Sequence, residues 1–161
     1  MVYGCDPAWW RHRRGLPKFA GLKAAWSGAA LAEFPDIHGI RIASDAKQKF
    51  TYEFVAEPVG TVGGGGNSGF QAMNLAVQFG AARILLVGFD MTDRSGVHWY
   101  GRNNWAGGGN PSADNFRRWI AAFDAAAPVL RRMGVQVFNA SPNSVLTCFP
   151  KATVDQFLEG L

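Results

Sequence analysis

Apolar positions along this chain alternate between two rhythms, a short run or two-residue alternation and a helical spacing. Residues 2–4 read as a short strand that the turn Cys5-Asp6-Pro7 ends, and Pro7 stands where a helix over 7–14 accepts proline. A second short strand is predicted at 22–26. Residues 37–43 set Ile37, Gly39 and Arg41 against His38, Ile40 and Ile42, the alternation of a strand. Residues 52–58 read as a further extended segment at a sheet edge. Later, Phe116, Trp119, Ile120, Phe123, Ala127 and Leu130 recur on one face of a helix over 113–133, where Pro128 predicts a kink or a break. A last buried strand at 135–138 and a terminal helical turn at 154–158 complete the series. Strand and helix alternate, which predicts one α/β domain over 1–161 with a largely parallel sheet.

The most informative stretch is 61–90. Gly63 to Gly66 allow backbone N–H groups to approach a ligand without side-chain obstruction. A helix over 68–79 follows, for which Ser68 reads as the cap and Gln71 as the partner that completes a capping box. Gly80 suits a left-handed helix end. The apolar run 84–87, inside a strand at 83–88, fits a parallel strand covered on both faces. Asp90 lies just past it, where open α/β sheets hold their ligands.

Composition narrows the classes. The hydrophobic fraction of 48% supports a real core, yet no apolar run approaches the roughly 20 residues that span a bilayer. Trp9-Trp10 leads straight into Arg11-His12-Arg13-Arg14, which is not a signal-peptide pattern, so membrane insertion is not expected and cytoplasmic residence is. Cys5 and Cys148 are far apart in sequence and in apolar settings, the pattern of buried free thiols rather than of a metal site or a disulfide. A net charge of +4, carried mostly by arginine, favours planar and phosphate-like partners. No regular stripe of aromatics and arginines appears, which argues against nucleic-acid binding.

Three constellations carry candidate chemistry. The glycine run before a helix, with Gly66, Asn67, Ser68 and Gly69 at the junction, offers free N–H groups to phosphate or carboxylate. It lacks the Gly-Lys-Ser/Thr of a P-loop, and its match to G-x-G-x-x-G follows from glycine density alone. The segment Gly96-Val97-His98-Trp99-Tyr100-Gly101-Arg102 lies in a long loop over 91–112 and supplies His98 as a general acid or base. After the last strand, Asn143 and Ser144 can bond a base or ribose, or else cap a turn.

Together these stretches resemble the bacterial sialyltransferases of glycosyltransferase family 42 and the related MptE-like proteins of bacteria and prophages. The matching residues are Ser68-Gly69, Phe79-Gly80, Gly88-Phe89-Asp90, His98-Trp99-Tyr100-Gly101 and Pro142-Asn143-Ser144, in the family's order. The resemblance implies a Rossmann-like three-layer sandwich, often tetrameric, that binds a cytidine nucleotide donor with no essential metal and no other cofactor. It places Ser68 beside the donor and Asp6 at a strand end that contacts the donor sugar.

The chain departs from the family at three points. It opens near the family's third strand, so the first strands and the Gly-Asn-Gly-Pro-Ser-like nucleotide loop have no counterpart, and a sheet edge left open there favours homo-oligomers. Arg102 stands at the family's catalytic histidine, and Thr92 replaces a tyrosine that steadies the leaving phosphate. The expected function is therefore binding of a nucleotide or nucleotide-sugar, with His98 as base and Arg102 on the leaving phosphate if transfer occurs. The alternative is a non-catalytic binding or assembly protein, of phage origin, that keeps the fold.

Overall fold

Every strand pair among the described residues is parallel, so the connections between partners must cross over, most of them through a helix. The computed structural model describes residues 1–45, 47, 51–94 and 96–160. Strand β1 (Val2–Tyr3) leads into α1 (Pro7–His12), β2 (Lys23–Ala25), α2 (Gly28–Glu33) and β3 (His38–Gly39). These strands lie in the order β1-β2-β3. Asp6 starts α1 by accepting from the Ala8 amide at 2.9 Å, and Pro7 occupies the first turn as predicted. Helix α2 carries no strong periodic signal in Gly28-Ala29-Ala30-Leu31-Ala32-Glu33, and the sequence reading missed it.

Strands β4 (Arg41–Ile42) and β5 (Thr61–Val62) form a second parallel pair. The segment predicted as one strand at 37–43 changes partner in its middle. The Ile40 amide still bonds Ala25, while the next amide, of Arg41, bonds Gly60. Successive amides of a strand point to opposite edges, so a single extended segment serves β2 on one side and β5 on the other.

The predicted edge strand at 52–58 does not pair as a strand. Side chains of α3 (Ser68–Gln78) bond the backbone of Val55 within it instead. Asn74 accepts from the amides of Val55 and Gly63, and its amide nitrogen donates to the Val55 carbonyl. Gln78 donates to Val55 and Thr61 carbonyls and accepts from the Gly60 amide. Val55 thus gains its partners without a ladder, which meets the requirement that buried backbone groups be paired.

Helix α3 ends as predicted. Gly80 has φ +90, and the bonds Gly80 to Val77 and Ala81 to Ala76 close a Schellman motif. Strand β6 (Arg83–Leu86) pairs with β7 (Gln136–Asn139) over their full lengths. Cover on both faces is incomplete, because Val87 beyond its end is 65% exposed. Between them, α4 (Ala113–Arg132) begins with a capping box from Ser112 and Asn115. It runs unbroken through Pro128, since Ala126, Ala127 and Leu130 on either side are buried and hold the turn in place. The last helix is α5 (Val154–Glu159).

The main core joins Phe70, Met73 and Val77 of α3 to Phe123, Ala126 and Leu130 of α4, over Leu86 and Val137. Each large side chain buried there contributes about 1.5–3 kcal/mol of transfer free energy. A second, smaller cluster gathers Trp10, Ala25, Ala30 and Ile37. The result is a mixed α/β chain with small parallel sheets. Among the described residues no helix is long and apolar enough to cross a membrane.

Candidate functional site

The strand-end segment after β6 is pinned by side chains that follow β7. The Phe89 amide donates to Ser141 Oγ at 2.7 Å, and the Phe89 carbonyl accepts from Ser144 Oγ at 2.5 Å. Ser144 Oγ also accepts from Asn139 Nδ2 and from the Leu146 amide, and the fully buried Asn139 accepts from the Ser141 amide. The Asp90 carbonyl accepts from the Val145 amide. Gly88 to Asp90 is thereby held in a fixed course, with positive φ at Gly88 and at Met91.

This segment forms one wall of a cavity of about 460 Å³. The first turn of α3 contributes Asn67 and Gly69 to it, the long loop contributes His98 and Trp99, and α4 contributes Phe116 and Trp119. Asp90, Thr92, Pro111 and Asn143 complete the rim. Its size is that of a small-ligand site.

The glycine loop reaches this cavity only at its end. Asn67, not Ser68, caps α3, accepting from the Phe70 amide at 2.9 Å. Ser68 is the first helical residue, and its hydroxyl accepts from the Cys5 amide and donates to Cys5 Sγ, both at 3.0 Å. Gln71 closes no capping box. It accepts from the Tyr3 hydroxyl and donates to the Gly64 carbonyl. The glycines have steric reasons as well. A Cβ on Gly65 would meet the Phe70 ring at 2.0 Å, and one on Gly69 would meet the Phe89 ring at 2.7 Å. Gly66 lies against Trp119, whose indole N–H donates to its carbonyl at 2.6 Å.

His98 faces the cavity from a loop with its own framework. Its ring stacks on Tyr100 with centroids 5.0 Å apart, and Asn103 Nδ2 stands 3.4 Å from its Nε2. Asn103 and Asn110 exchange backbone and side-chain bonds, and Trp105 stacks on His12 at 4.3 Å, which fastens the loop to the end of α1. Trp99 projects with 96% of its surface exposed.

The structure therefore divides the residues singled out in the sequence. Asn67, Gly69, Asp90, His98 and Asn143 share the cavity. Ser68 and Ser144 are not among its lining residues, and their hydroxyls serve Cys5 and Phe89. Asp6 caps α1, Arg102 is exposed outside the lining, and Gly66 lines a separate cleft. Sequence reasoning missed Asn139 and Ser141 as the clamp on Phe89, and it assigned Phe116 and Trp119 to a core-facing stripe. Their place at the start of that stripe, in the first two turns of α4, is the signal that separates them from the buried Phe123 and Leu130.

Both thiols are free and half-buried. Burial raises the Cys5 thiol above its ordinary range, against hydrogen bonds from Ser68 and Trp26 that pull it down. Cys148 is pushed up to about 12, by burial first and then by the charge and hydrogen bond of Asp124. Among the described residues, no group of three His, Cys, Asp or Glu side chains is arranged to hold a metal ion.

Comparison with protein-family models, with curated proteins and with solved structures gave no match.

Proposed function

We propose that this protein binds a nucleotide or nucleotide-sugar in the cavity between α3, the β6 strand end and the long loop. One observation carries the reading: Asn67, Gly69, Asp90, His98 and Asn143, drawn from three separate stretches of sequence, line a single cavity of ligand size. The start of α3 attracts an anionic group through the helix dipole and the first-turn N–H groups that Asn67 does not cap. Asp90 is placed to accept from sugar hydroxyls, and Asn143 offers both a donor and an acceptor. Phe116, Trp119 and the exposed Trp99 supply flat apolar faces. A ligand with an anion, hydroxyls and a planar ring satisfies all of these. The parallel strand pairs and the crossover helices fit a Rossmann-like three-layer arrangement, and the motif order fits a sialyltransferase-like ancestry.

A second reading, binding without catalysis, is favoured by the place of Arg102. Expected on the leaving phosphate, it does not line the cavity, where His98 stands with the Asp90 carboxylate. Thermal-shift titration with cytidine, uridine and guanosine mono- and diphosphates tests the binding. A ligand at about 100 times its Kd adds about 2.7 kcal/mol of stability. No shift with any of them at millimolar concentration overturns the proposal. If a nucleotide binds, nucleotide-sugar hydrolysis or transfer that disappears in His98→Ala selects the catalytic reading, and its absence in the parent protein selects the other.

A further inference from the structure

A second cleft, of about 160 Å³, opens beside the glycine loop between Trp26 and Tyr52, with Cys5, Ile42, Gln71 and the backbone of Gly64 and Gly66 around it. Trp26 follows β2 and is 37% exposed, while Tyr52 is 46% exposed, so two large rings border this small space without being sealed in the core. Among the described residues that line it, none carries a formal charge. Gln71 is only 5% exposed. Its described bonds, to Tyr3 and Gly64, use one lone pair and one N–H of an amide that has two of each. Its position is fixed by those two partners, so the amide is preorganised.

The geometry points to a second binding site, for a neutral heteroaromatic ring that carries an amide-type edge. The rings of Trp26 and Tyr52 offer stacking surfaces to a flat partner, and base-to-aromatic stacking contributes about 1–3 kcal/mol per ring. The Gln71 amide pairs with a carbonyl and an adjacent N–H on the ligand, as in a pyrimidine base or a carboxamide. A phosphate or carboxylate meets neither a counter-charge nor the start of a helix among the described lining residues and would be desolvated at a cost. The space is also too small for a nucleotide. This site is independent of the nucleotide reading, because it shares only the glycine loop with the larger cavity.

Cys5 lies in the cleft and reports its occupancy. In a Cys148→Ser background, alkylation of Cys5 by iodoacetamide is followed by intact mass, with uracil, nicotinamide or phenol as the added ring. Uracil or nicotinamide at about ten times its Kd slows Cys5 alkylation about tenfold, by simple occupancy. Uracil protecting alone identifies a base-like imide edge, and nicotinamide protecting alone identifies a carboxamide. In Tyr52→Ala and Trp26→Leu, ligand-observed NMR no longer detects the bound ring, whereas Tyr52→Phe retains it. Equal protection by phenol, no protection by either amide ring at millimolar concentration, or undiminished binding in both truncated variants overturns the site. None of the probes carries phosphate or ribose, so its failure leaves the nucleotide reading standing, and the reverse also holds.

Discussion

Ser144 Oγ donates to the Phe89 carbonyl at 2.5 Å, which ties the loop after β7 to the segment after β6. The same hydroxyl accepts from Asn139 Nδ2 and the Leu146 amide, so one side chain serves three partners. Ser144→Ala leaves two donors and a carbonyl unpaired in a part-buried setting and is expected to destabilise the fold by about 1–3 kcal/mol. The neighbouring Asn143 is exposed and lines the cavity, and Asn143→Ala is expected to change stability by no more than about 0.5 kcal/mol while weakening nucleotide binding. Urea denaturation of the two variants separates the roles. Equal midpoints for both would contradict the assignment of Ser144 to the clamp.

Gly69 stands in the first turn of α3, where alanine would ordinarily be favoured over glycine by about 0.8–1 kcal/mol. Its Cβ would lie 2.7 Å from Phe89 ring atoms, and that ring is held by its clamped backbone and by edge contact with Phe123 at 5.7 Å. Gly69→Ala is therefore expected to lose the propensity gain, lower Tm and weaken binding in the cavity. Gly80→Ala provides the contrast. Its surroundings are open but its φ is +90, so it is expected to lose about 1–2 kcal/mol with nucleotide affinity unchanged. A Gly69→Ala protein that is more stable and binds normally would refute the steric account.

What the sequence made legible follows from where local chemistry dominates. Pro7 at the start of α1, Gly80 at the end of α3 and the apolar run of β6 each report a local backbone preference, and each is found where it was read. The cap of α3 was displaced by one residue because Asn67 and Ser68 are both good caps, and the long-range bond to Cys5 decides between them. The role of Ser144 was hidden for a similar reason: its partner Phe89 is distant in sequence, and no periodicity records the contact. Residues 52–58 read as a strand, but the partners of the Val55 backbone at their centre are the side chains of Asn74 and Gln78. Of the candidate site, Asp90, His98 and Asn143 were readable as polar residues near strand ends or between glycines. Arg102 was not placed by any such rule, and it lies outside the cavity.

Alkaline pH is expected to destabilise the fold. Burial, followed by the charge and hydrogen bond of Asp124, pushes the Cys148 thiol up to about 12, whereas an unfolded thiol titrates at about 8.5. A group with a raised folded value contributes fully below the unfolded value and loses that contribution as pH rises toward the folded one. Tyr3 is raised as well, by burial and then by Cys5. Stability should therefore fall from about pH 8.5 upward. Urea midpoints measured across this range should fall less steeply in Cys148→Ser and in Tyr3→Phe, and slopes parallel to the parent protein would show that these groups do not govern the loss.

Asn103 is the hub of the loop that carries His98. Its amide accepts from Tyr100 and donates to the Gly109 carbonyl, while its backbone exchanges bonds with the Asn110 side chain. Asn103→Ala removes the side-chain bonds but leaves those from Asn110, and Asn110→Ala does the converse. Each substitution should make local opening of the loop easier by about 1 kcal/mol, roughly a fivefold rise in the open population. Under conditions where opening equilibrates before cleavage, limited proteolysis within the loop should accelerate by a similar factor, with the global urea midpoint little changed. In the nucleotide-bound protein the acceleration should shrink, because His98 and Trp99 then hold ligand as well as loop. Cleavage that is unaffected by either substitution would mean that the His12–Trp105 stack alone fastens this loop.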